Sequence, residues 1–88
     1  MSTETHSIIW RGIRIVITYT PEKFGLVDHI ELRSGDKTPL PVTETGYRSQ
    51  HVQAGTVAEH DGAVAYVTAW LDYEAERIGW DGAQLLLF

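Results

Sequence analysis

Four histidines are the first residues in this 88-residue chain that could do chemistry. Zinc and similar ions take imidazole and carboxylate ligands at short, regular spacings. His51 and His60 are nine apart, with Glu59 and Asp61 flanking the second. That spacing fits neither a helical i,i+4 pair nor a compact zinc pattern, so exposed or hydrogen-bonded imidazoles are expected and no metal. Ser49 and His51 are two apart. On a strand they share a face, as a nucleophile and its base must, but the sequence supplies no third group to orient the histidine. Glu74 and Glu76 are also two apart, and on a helix they diverge. The eight glycines are scattered and form no phosphate loop. A non-enzyme without a cofactor is therefore expected.

The element that must position the surface is Ala63–Ile78, AVAYVTAWLDYEAERI. Val64, Val67, Leu71, Ala75 and Ile78 recur at steps of three and four, which predicts one apolar side of a helix. Asp61 and Gly62 precede the run, with Asp61 expected to cap it. Gly79 suits the left-handed residue that ends many helices. Asp72 and Glu76 share one exposed flank. Tyr66, Trp70, Tyr73 and Arg77 line the opposite one, with Arg77 placed to stack on Tyr73. Core margin is the plainer reading of Tyr66 and Trp70, and a partner-binding edge the sharper one.

Upstream, the pattern changes to period two. Residues 1–6 read as a flexible tail and 7–10 as a short strand, with Arg11-Gly12 a tight turn. Ile13, Ile15, Ile17 and Tyr19 alternate with Arg14, Val16 and Thr18 in the clearest strand. Pro21 and Gly25 break it. Residues 26–34 resume, with Ile30 and Leu32 inward and His29, Glu31 and Arg33 outward. Gly35 to Thr38 turn, Pro39-Leu40-Pro41 is extended, and 47–52 form a fourth strand at an edge. One helical turn is expected near 56–60. The fold class is thus α+β: an antiparallel meander of three to four strands covered by one main amphipathic helix, in a single domain.

Charge narrows the function classes. The net charge is −5, and residues 1–43 balance five acids with five bases. Residues 44–88 carry seven acids against Arg48 and Arg77, so all the net charge lies in the second half. Phosphate backbones need cations, so direct nucleic-acid binding is disfavoured, and a basic partner is favoured. A solvated helix face is the plainer explanation. There is no cysteine, hence no disulfide and no zinc–thiolate site. No apolar run is long enough to span a bilayer, and the polar start MSTETHS lacks the pattern of a signal peptide, so a cytoplasmic protein is expected.

Residues 83–88 form an apolar end, either a further strand or a free segment. Within it Gln84, Leu85, Leu87 and Phe88 resemble the pentapeptide by which bacterial proteins dock on the replication sliding clamp. Leu87 and Phe88 would fill an apolar pocket, with Gln84 at its rim.

Two longer stretches, PLPVTETGYRS at 39–49 and VAYVTAWLD at 64–72, together resemble small proteins carried on bacterial phages and plasmids. Type I-C anti-CRISPR proteins are identified as belonging among them. The resemblance implies an inhibitor that binds the Cascade surveillance complex and blocks its target DNA. A rigid array of carboxylates would act as a DNA mimic on a basic DNA-binding surface of a Cascade subunit. Surface logic then selects Glu44, Tyr47 and Arg48 on the polar segment, and Trp70, Asp72, Tyr73 and Glu76 on the helix.

Overall fold

The structure is a computed structural model that describes residues 3–23 and 25–80. Four antiparallel strands, β1 (Glu4–Trp10), β2 (Ile13–Lys23), β3 (Val27–Ser34) and β4 (Tyr47–Gln53), form a sheet in the order β1-β2-β3-β4. A single turn of helix, α1 (Thr56–Glu59), and the main helix, α2 (Ala63–Ile78), follow. This is the expected α+β meander, with one main helix across its apolar face.

The alternation along the strands sorts the residues. Ile15, Ile17 and Tyr19 on β2 pair with Ser34, Leu32 and Ile30 on β3. The five apolar members of these pairs are buried beneath the helix. From α2 a line of Ala63, Val67, Leu71 and Ala75 meets them. Val57 of α1 and Leu40 of the 38–46 loop close the rest of that face. Burying each large aliphatic side chain contributes about 1.5–3 kcal/mol. Val64 and Ile78, expected inward, are exposed instead. The buried line advances strictly by four residues, so side chains beside it or beyond the sheet's edge face solvent.

Local chemistry sets the turns. Trp10 opposes Ile13, and the two residues between them take positive φ, 49° at Arg11 and 83° at Gly12, as a tight hairpin requires. Gly79 ends α2 at φ 67°, and the Trp80 N–H returns to the Ala75 carbonyl at 2.9 Å. The Trp80 ring then lies 5.1 Å from that of Trp10.

Three sequence expectations need correction. Residues 4–6 are strand rather than tail, paired with Tyr19, Thr18 and Ile17. A polar edge strand can stay wet on one side while its backbone bonds are met by β2. Pro21 does not end β2; it lies where the β2–β3 register shifts between Thr20 and Lys23, a place where a missing donor is tolerated. Asp61 does not cap α2. The turn between the helices needs φ 68° at Asp61 and 103° at Gly62, so Gly62 takes the cap position.

Candidate functional site

β4 divides its residues between two surfaces. Arg48, Gln50 and Val52 oppose Leu32, Ile30 and Asp28, and so lie on the helix side. Tyr47, Ser49 and His51 oppose Arg33, Glu31 and His29 on the open side. Tyr47 and Arg48, adjacent in sequence and both selected as contact residues, therefore serve different faces.

On the helix side, Arg48 reaches across to Trp70, its guanidinium 5.8 Å from the ring. It also donates to the Val42 carbonyl and to Gln50 Oε1, each at 3.2 Å. Pro41, Val42, Arg48, Trp70, Glu74 and Arg77 line a groove of about 300 Å³. Arg77 is turned to Glu74, with its Nε and Nη2 donating at 2.9 and 2.5 Å. That charge-assisted pair corrects the expected stacking on Tyr73 and raises the Arg77 pKa. Tyr73 itself is exposed. Glu44 lines a neighbouring hollow with Leu40, Ile78 and Trp80.

Asp72 sits on the other flank of α2. Its Oδ1 accepts the Trp10 indole N–H at 2.8 Å and lies 3.8 Å from Arg11 Nη2, while the Arg11 guanidinium stacks 4.8 Å from the Trp10 ring. Asp72 thus ties α2 to the β1–β2 hairpin. Glu76, four residues on, is exposed and in no ion pair among the described residues. The seven selected residues therefore form no single patch. Arg48 and Trp70 meet, and the others are spread over the loop, both helix flanks and the open sheet face. Gln84, Leu85, Leu87 and Phe88 lie outside the described residues.

The open sheet face gathers the histidine chemistry. His29, expected to be exposed, is 7% accessible. Its ring stacks on His51 at 4.4 Å, its Nε2 is 2.7 Å from Ser49 Oγ, and the same nitrogen is 3.8 Å from Glu31 Oε1. Through these contacts His29 on β3 is tied to Ser49 and His51 on β4. Among the described residues no group of three histidines, aspartates or glutamates is arranged to hold a metal.

The sequence reading missed Asp28. It is fully buried, and its carboxylate accepts the backbone N–H groups of Glu22 at 2.9 Å, Gly55 at 3.0 Å and Val57 at 3.3 Å. It thereby joins the β2–β3 turn to the start of α1. Three donors on one carboxylate offset the cost of removing it from water. No periodic signal marks such a residue. Position 28 does, however, share the core parity of Ile30 and Leu32.

Fold and surface together define a small α+β sheet-and-helix domain with an asymmetric distribution of charge. A family model described as the KlcB third domain matches residues 3–80, and the chain belongs to that family. No curated protein and no solved structure matches it. No helix among the described residues is long and apolar enough to cross a membrane.

Proposed function

We propose that this domain acts by binding another protein, setting the carboxylates on and around its helices against a basic surface. One observation carries the reading. Glu44, Glu59, Asp61 and Glu76 are exposed, and none of them is in an ion pair among the described residues. Asp72 and Glu74, by contrast, are partnered internally. Carboxylates left without a nearby cation project negative potential outward, which steers and orients a basic partner. Membership of a family described as one domain of KlcB is consistent with a module that works beside other parts of a protein.

The resemblance in residues 39–49 and 64–72 suggests the specific partner, a DNA-facing surface of the type I-C Cascade. A gel-shift with purified Cascade and its target DNA tests it. Saturating domain should abolish the shifted band. Persistence of that band would reject Cascade, and capture of a different basic protein from host lysate would keep the broader reading.

A further inference from the structure

The end of β3 and β4 remote from α1 carries the opposite charge. Arg33 and Tyr47 are cross-strand partners on the open face, with the guanidinium 4.9 Å from the ring centroid. Lys37 ends a 3-10 turn (Gly35–Lys37) at φ 56°, a left-handed conformation uncommon for lysine. Gly46 packs beneath it. The Ser34 N–H donates to the Gly46 carbonyl at 2.8 Å, and a Cβ on Gly46 would lie 2.7–2.8 Å from the Lys37 backbone. Arg33, Ser34, Lys37, Thr45, Gly46 and Tyr47 line one hollow of about 290 Å³. Neither Arg33 nor Lys37 is in an ion pair among the described residues. The nearest acid along β3, Glu31, is turned to His29, and Glu44 belongs to the neighbouring hollow.

We propose that this hollow binds a phosphate group, free or as a monoester. Two cations from different elements converge on it, over a backbone packed too closely to shift. The Tyr47 ring backs the Arg33 guanidinium and fixes the plane of its donor fork, which suits phosphate oxygens. The Lys37 ammonium adds a second positive group and the Tyr47 hydroxyl a further donor, while the Thr45 hydroxyl is turned to the Tyr47 carbonyl at 3.4 Å. Donors arriving from several directions match a tetrahedral anion better than a planar carboxylate. Ser34 takes no part, because its hydroxyl donates to the Thr38 carbonyl at 2.5 Å. The site is independent of the acidic surface, and either can fail without the other.

Amide NMR of the whole chain tests it at constant ionic strength. The probes are inorganic phosphate, phosphoserine and adenosine monophosphate, with acetate as the planar control. Saturable shifts are expected at residues 33–37 and 45–47, with acetate much weaker. Arg33→Gln and Lys37→Gly should each weaken phosphate about tenfold or more, the loss of one charge-assisted contact. Glycine accepts the Lys37 backbone conformation, so Lys37→Gly should melt no lower than the parent and separates binding from folding. The ranking of the three phosphates identifies the source of the group. No saturable shift, equal binding of acetate, or unchanged affinity in Lys37→Gly would each overturn the proposal.

Discussion

Trp10 and Asp72, 62 residues apart in sequence, meet through an indole N–H that donates to the carboxylate at 2.8 Å. Trp10 is buried and Asp72 is half in water, so one hydrogen bond joins the core to the surface of α2. Asp72→Ala should leave the indole N–H without its acceptor and cost about 1–3 kcal/mol. In a domain of this size each kcal/mol lost lowers Tm by about 4–8 °C. Urea unfolding followed by tryptophan fluorescence measures the effect; an unchanged midpoint would remove Asp72 from the structural frame.

Asp28 should matter more. Asp28→Ala strands three backbone donors at once, and a loss of about 3–4 kcal/mol is expected. Asp28→Asn retains one acceptor oxygen and should fall between the two. Hydrogen exchange gives a local readout, since the amides of Glu22, Gly55 and Val57 should lose protection first.

Gly46 and Gly55 both have positive φ, 78° and 94°, but differ in their surroundings. A Cβ at Gly46 would overlap Ser34 Oγ and the Lys37 backbone, whereas one at Gly55 meets nothing within 4 Å. Gly55→Ala should therefore cost only the conformational strain, about 1 kcal/mol. Gly46→Ala should cost about 2–4 kcal/mol, from overlap added to strain. Equal losses in thermal melts would contradict the packing around Gly46.

Alkaline pH should destabilise the fold through two tyrosines. Burial raises the pKa of Tyr66. Burial, followed by the charges of Asp28, Glu4 and Glu22, raises that of Tyr19. A raised folded-state pKa means that the unfolded chain releases its proton first. The stability tied to these groups is complete below the ordinary value near 10 and falls as pH rises through the higher folded values. Ultraviolet titration of tyrosinate should show a late component, absent in the Tyr19→Phe, Tyr66→Phe double variant.

Reversing Glu44 and Glu76 to lysine moves the net charge from −5 to −1. Neither residue is in an ion pair among the described residues, so stability should change by no more than about 0.5 kcal/mol. Association with Cascade should slow about tenfold at low salt, and the difference should shrink as salt is added. Identical association rates for the parent and the double variant would argue against the acidic surface.

The α2 bounds, the Arg11-Gly12 hairpin, the Gly79 terminus and the inward set Ile15, Ile17, Ile30 and Leu32 were legible because each is recorded within a few neighbouring residues. Periodicity and turn chemistry are local, and the backbone obeys them locally. The candidate site was less legible. Sequence proximity grouped Tyr47 with Arg48, yet strand parity sends one to Arg33 and the other toward Trp70. His29 read as an exposed polar residue and Asp28 drew no reading at all, because the Ser49 and His51 side chains and the Gly55 and Val57 amides that offset their burial come from elsewhere in the chain. By itself, the sequence determined the centre of each strand and the bounds of α2, while pairing with β2 extended β1 to Glu4 and the register shift carried β2 past Pro21. Only the tertiary structure decided which polar groups were satisfied inside and which charges were left outside, because the partner that settles each case lies many residues away along the chain.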